Sequence, residues 1–356
     1  MFKEIQKIGK VKAFAVGDYL CCLQQDKGIV CSNGFEYQTD SNGSLYSFGS
    51  ILLKQSYRGD LQIFHAAERK LLFENDRNKY KLFIIPDTGL IGDTVYVTRK
   101  MEGAEEIGLL NFYSGSFEAR SKTPGILMLK HQLGINWGGT NRGVEVRSLA
   151  EGKFMWSFAD FQNYSDSTGT LKIDEVRNFL GVYKLTLWFG LSSGKLIGLD
   201  AQTGHLVSEL GFRQSDLPSF PYKVREGDYL PFGEFMQLNE KEGELIGLRQ
   251  TYFMKVSLDA SSLKREYTDV SDSMTTHSIT SSYRNYTFPL IDGQLCFCDD
   301  KQNKIGVFDC DVKKVVWSKQ LDKDISQSPI ILEMKYFNGK LCILESSNTL
   351  HVLERI

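Results

Sequence analysis

The sequence predicts an all-β fold, a β-propeller of seven or eight four-stranded antiparallel blades with eight favoured, and three observations predict it. One hairpin phrase recurs along the chain, helical periodicity is nearly absent, and the last copy of the phrase stops short while an unassigned strand stands at the amino terminus. The phrase is a short apolar strand, a turn of Gly, Asn, Ser or Asp, a second strand, another such turn and a third strand. Period-2 alternation punctuated by those turn residues is the mark of antiparallel strands, and its recurrence is the mark of a repeat architecture.

In chain order the first copies are YLCCLQQDKGIVCSNGFEYQ at 19–38, ILLKQSYRGDLQIFHAAERKLLF at 51–73, TVYVTRKMEGAEEIGLLNFYSGSFEA at 94–119 and INWGGTNRGVEVRSLAEGKFMWSF at 135–158. The clearest is LTLWFGLSSGKLIGLDAQTGHLVSEL at 185–210. There Leu185 to Gly190 alternates as a strand, Ser192 to Gly194 turns, Lys195 to Asp200 is the next strand, and Gln202 to Gly204 turns into His205 to Leu210. ELIGLRQTYFMKVSLDASSLKREY at 244–267 and QLCFCDDKQNKIGVFDCDVKKVVWSKQL at 294–321 follow. The eighth, KLCILESSNTLHVLERI, ends after two strands, and FKEIQKIG near the amino terminus supplies the missing one. Completing the last blade with the first strand closes the ring and leaves no open sheet edge between first and last units. Spread over 356 residues, eight units are about 44 residues each, a blade's length. The whole of 1–356 is therefore read as one propeller domain.

Composition agrees with a packed fold. At 42% hydrophobic and 24% charged residues the chain lies outside the disordered class. Its net charge of -2 provides no global field for nucleic acid or an anionic membrane, and Arg69-Lys70 and Lys313-Lys314 are too short to form a basic stripe. The opening MFKEIQKIGK has no apolar secretory core. Seven cysteines without an export signal are expected as reduced thiols in the cytoplasm.

The strongest copies resemble the pyrroloquinoline-quinone-type propeller repeat, and more broadly the tryptophan-aspartate (WD40-like) propellers. The matching residues are Gly194, Leu196, Leu199, Asp200, Ala201, Thr203 and Gly204; in the 304–317 copy Asp309 and Trp317 match, while Asp311 and Lys313 stand where Thr and Gly would be. The resemblance implies the fold and leaves activity open, because the repeat serves dehydrogenases and noncatalytic scaffolds alike.

No catalytic, metal or cofactor constellation emerges from the residues. Cys21-Cys22 is similar to the vicinal pair of quinoprotein alcohol dehydrogenases, but no calcium-binding acids accompany it, and neighbours on a strand face opposite sides. Cys296, Cys298, Cys31, Cys310 and Cys342 lack metal-ligand spacing and are expected as small core residues. His65, His131, His205, His277 and His351 are scattered. The acidic pairs Asp174-Glu175, Asp299-Asp300 and Asp309/Asp311 fall at strand ends and turns, where acids serve the local backbone. NYSDSTGTLKIDE at 163–175 fails the calcium-loop pattern and is read as an inter-blade loop. Gly92 and Trp137-Gly138-Gly139 lack the strand-to-helix setting of a phosphate loop.

The largest break in the spacing lies at 211–243, which carries Pro218, Pro221 and Pro231 with Phe212, Phe220, Tyr222, Tyr229, Phe232 and Phe235. Aromatic residues on a stiffened loop are interface anchors. The competing reading is that they pack over the adjoining blades and supply a first strand. A second break, 269–286, is Ser/Thr-rich and read as a mobile or hydrogen-bonding loop. The expected function is a noncatalytic, cytoplasmic protein-binding platform or scaffold with an unidentified protein partner, in one form an intracellular inhibitor or immunity-type protein. Its rivals are an enzyme or sugar-binding propeller working at the central channel mouth, and a subunit of a larger assembly.

Overall fold

In the computed structural model the described residues are 1–75, 79–82, 90–101, 104–121, 128–130, 133–137, 143–148, 151, 153–165, 169–216, 229–230, 232–259, 264–280, 288–299, 301–321 and 330–356. They form eight four-stranded antiparallel sheets, and the chain is an eight-bladed β-propeller. Seven blades keep their strands in sequence order. The last runs Phe2–Ile8, Leu350–Arg355, Lys340–Glu345, Ile331–Phe337, so the amino-terminal strand completes the carboxy-terminal blade, with Phe2 opposite Arg355 and Ile8 opposite Leu350. The three strands of each repeat copy are the second to fourth of a blade. The first strands lie between copies: Val11–Val16, Ser44–Phe48, Tyr80–Leu82, Met128–Lys130, Val176–Tyr183, Met236–Asn239, Leu290–Ile291 and Ile331–Phe337.

Two compact units divide the chain. One comprises Met1–Asn136, Arg147–Phe154 and Ile330–Ile356, the other Trp137–Val146 and Met155–Pro329. Within each, the second strands of the blades are buried on both faces, and alternate residues serve different cores. In the first unit Cys21 and Leu23 pack with Leu45, Leu52 and Phe64, whereas Leu20 and Cys22 pack with Cys342, Leu344 and Val352. In the second, Leu245 joins Trp188, Leu196 and Phe212, while Ile246 and Leu248 join Leu295, Phe297 and Phe308. Burial on both faces is why segments such as LCCL, LIGLD and LCFCD are unbroken apolar runs.

One turn recurs between the third and fourth strands. In the fifth blade Asp200 Oδ1 accepts the backbone N–H groups of Gln202 (3.0 Å) and Thr203 (2.8 Å), and Gly204 follows at φ +73°. Asn111 does the same for Tyr113 and Ser114 ahead of Gly115, and Asp309 for Asp311 and Val312 ahead of Lys313. Lys313 at φ 55° and Arg69 at φ 56° adopt the left-handed conformation that Gly204 takes freely, at a cost of about 1 kcal/mol each. The turn is thus specified by the acceptor that opens it, and the glycine is dispensable. Gly204 has a second reason: a Cβ there would stand 2.5 Å from the Trp156 indole, whose Nε1 donates to the Ala201 carbonyl at 3.0 Å. Trp156 thereby docks the preceding blade's last strand onto this turn.

Three expectations are corrected. The stretch 163–175 contains a hairpin outside the blades, Asn163–Ser165 paired with Leu171–Ile173. The 269–286 stretch contains the short helix Ser271–Thr276, where Ser273 Oγ accepts the Val315 N–H at 2.8 Å. The seven cysteines are not all reduced: Cys21 and Cys31, directly opposite on adjacent strands with Cα atoms 4.0 Å apart, form a disulfide, and the other five are free and buried. Burial pushes the thiols of Cys22, Cys296 and Cys310 up to about 12 and that of Cys342 to about 11, so none of the four is an activated nucleophile. Among the described residues no helix is long and apolar enough to cross a membrane.

Candidate functional site

The connection between the fifth and sixth blades builds the site. It leaves the fifth blade's last strand, Leu206–Leu210, passes through Gly211 and Phe212, and enters the 3-10 turn Gln214–Asp216. The chain returns antiparallel to its own outgoing segment: Tyr229 bridges Arg213, and the Leu230 N–H donates to the Phe212 carbonyl at 2.6 Å. From there it turns through Gly233–Phe235 into Met236–Asn239, the first strand of the sixth blade.

This geometry sorts the aromatic residues. Phe212 and Phe232 are 1% and 0% exposed, their rings 5.7 Å apart and edge to face, within a core containing Leu230, Met236 and Leu245. They seal the two blades together and are not surface anchors. Phe235 lies partly buried beneath Arg249, whose guanidinium carbon is 4.0 Å from the ring centroid. Among the described aromatic residues of this connection Tyr229 alone lines a cleft. Phe220 and Tyr222, with Pro218, Pro221 and Pro231, lie outside the described residues, as do His131, Gly138, Gly139 and Asp300.

The cleft holds about 410 Å³ and is lined by Glu209, Leu210, Gly211, Arg213, Tyr229 and Arg265. Gly211 sits so close beneath the Tyr229 ring that a Cβ would stand 2.3 Å from it, which fixes the ring's seat. Arg213 flanks the same ring at 5.0 Å from its centroid, within cation–π reach, and its Nη2 donates to the Tyr229 hydroxyl at 3.4 Å. That hydroxyl and Asp216 hold the guanidinium above even the ordinary arginine value. Lys195 approaches the ring at 5.6 Å and pairs with Glu209 at 3.2 Å. Arg265 comes from the sixth blade's last strand, Lys264–Asp269; it donates to the Gly211 carbonyl and lies 3.6 Å from Asp216. Among the described residues three cations therefore stand against two carboxylates, leaving one positive charge in excess. Sequence reasoning found Tyr229 and missed Arg213, Arg265 and Lys195, since only the fold brings residues from 195 to 265 together.

Elsewhere the chemical candidates are engaged in structure. Asp174 accepts from the backbone N–H of Ser193 at 2.9 Å and the hydroxyl of Ser192 at 3.0 Å, tying an inter-blade connection to a hairpin turn. Asp299 accepts from the N–H (2.7 Å) and hydroxyl (2.8 Å) of Thr280. Burial raises Asp309, but the N–H groups of Val312 and Asp311 and the Gln294 amide outweigh it and hold its carboxyl below the ordinary value. His351 lies in the last blade between Glu4 at 2.7 Å and Glu345 at 3.1 Å. Among the described residues no group of three or more His, Cys, Asp or Glu side chains is arranged to hold a metal ion.

No protein-family model matches the chain, and no curated protein does. Solved structures do resemble it over their whole length. The C-terminal WD40 domain of Sif2 aligns with a TM-score of 0.58 at 11% identity, covering 100% of this chain and 99% of that one. BamB from Moraxella catarrhalis aligns at 0.56 and 12%, covering 99% and 98%. Saccharomyces cerevisiae Sqt1 aligns at 0.54 and 10%, covering 100% and 98%. At such identities the likeness establishes the propeller fold and does not select among propeller repeat families.

Proposed function

We propose that the chain is a noncatalytic protein-binding propeller whose interface is centred on the 211–243 connection. The observation that carries this reading is the cleft of Tyr229, Arg213 and Arg265, residue types that dominate interface energetics. Leu206 and Val207, on the same strand as Glu209, are 45% and 52% exposed. The partner is a protein, in one form a target whose active site this chain masks. The Asp200 turn and the Trp156 dock on Gly204 support a repeat of the pyrroloquinoline-quinone type used as scaffold. The same reading puts the chain in the cytoplasm, where the Cys21–Cys31 bridge, with both residues nearly inaccessible at 1% and 3% exposure, is shielded from soluble reductants.

The test is capture from lysate on the immobilised protein, beside a variant carrying Arg213→Glu and Tyr229→Ala. A stoichiometric protein retained by the wild type and lost from the variant supports the platform. A cleft of this volume also suits a small ligand; if no protein is retained while a metabolite pool raises the melting temperature, the small-ligand reading replaces it.

A further inference from the structure

Resting on that platform reading, we infer that the Arg213–Tyr229–Arg265 cleft receives a carboxylate side chain from an acidic peptide segment of the partner. Among the described residues no carboxylate is within ion-pair distance of the Arg213 guanidinium, on which Asp216 acts only from further off, and the guanidinium meets the Tyr229 hydroxyl at 3.4 Å. Because that hydroxyl accepts from Arg213, its own proton is available to a second acceptor. The remaining N–H groups of Arg213 and the O–H of Tyr229 thus stand as neighbouring donors on the cleft lining, a donor set that suits a carboxylate. Tyr229 and Arg265 are held before any ligand arrives: Tyr229 by its seat on Gly211 and its backbone bridge to Arg213, Arg265 by the Gly211 carbonyl. Such preorganisation reduces the entropy lost on docking.

Charge selects the ligand class. Glu209 lines the cleft and Asp216 stands behind Arg265, so among the described residues the surplus is a single positive charge. One carboxylate neutralises it. A phosphate dianion or a nucleic-acid strand brings further negative charge against Glu209, on a chain whose net charge is already -2.

The experiment is fluorescence anisotropy with labelled peptides of alternating Glu and Gly or Gln and Gly, inorganic phosphate as competitor, and the variants R213A, R213K and Y229F. Expected is binding of the Glu peptide over the Gln peptide, weakened by salt and by R213A about tenfold or more. R213K should fall between, since it keeps the charge and loses the fork. These side chains line a surface cleft, so melting temperatures should stay at the wild-type value. Equal binding of the two peptides, full affinity in R213A, or displacement by phosphate at concentrations that mimic the peptide's own affinity overturns the carboxylate assignment. If a lysate partner is still captured and lost with R213E, the platform reading survives that result; if no partner is captured, the platform reading falls on its own.

Discussion

Replacing His351 by Ala removes the imidazole that ties the amino-terminal strand, through Glu4, to the last blade. His351 is 0% exposed and Glu345 2%, and the His351 ring nitrogens lie 2.7 Å from Glu4 and 3.1 Å from Glu345. Burial opposes the charged imidazolium, and the contacts with Glu345 and Glu4 outweigh it, so the residue sits above its ordinary value of 6.5. Deleting one member of a buried pair leaves the other charge uncompensated and costs about 3–5 kcal/mol. At roughly 2 °C per kcal/mol for a chain of this size, the melting temperature should fall by about 6–10 °C. The sign of the pH dependence follows from the raised value. A histidine charged more readily when folded contributes stability that is fully present below about pH 6.5 and lost as pH rises through the folded value. Wild-type melting temperature should therefore decline with pH above about 6.5, and that component should vanish in H351A. Amide hydrogen exchange should also accelerate in Phe2–Ile8, the strand that carries Glu4. Equal pH slopes in wild type and variant, together with unchanged exchange in that strand, would refute the reasoning.

Four further outcomes are expected. Phe232→Ala should destabilise by about 3–5 kcal/mol as a core deletion, whereas Tyr229→Ala should cost under about 1 kcal/mol; urea titration separates the buried member of the 211–243 aromatics from the half-buried one. Gly204→Val meets both a left-handed φ of +73° and the Trp156 indole and should cost about 2–4 kcal/mol, while Leu185→Gly, at φ 61° and 62% exposed, should stabilise by up to about 1 kcal/mol, both read from chemical denaturation. Alkylation of the unfolded, unreduced chain should modify the five free cysteines, with Cys21 and Cys31 becoming reactive after reduction. Loss of the Trp156 Nε1 donor in Trp156→Phe should cost about 1 kcal/mol, measured by the same denaturation.

The sequence by itself determined the propeller, its repeat and its closure, because these depend on signals that are local and periodic. Strand alternation, the acceptor that opens the turns at Asn111, Asp200 and Asp309, and a terminal strand with no other place to pair are all visible within a few residues. It also placed the first strand of the sixth blade in the 211–243 break, as the competing reading held. The tertiary structure alone decided which aromatics of that break are core and which line a cleft. Phe212, Tyr229 and Phe232 are alike in type and follow no period, and their fates are set by an antiparallel return that buries two of them between blades and seats the third on Gly211. Likewise Arg213 and Arg265 read in sequence as ordinary exposed cations. They become a site because the hydrogen bond from Arg265 to the Gly211 carbonyl, 54 residues away, joins the last strands of two neighbouring blades around one ring.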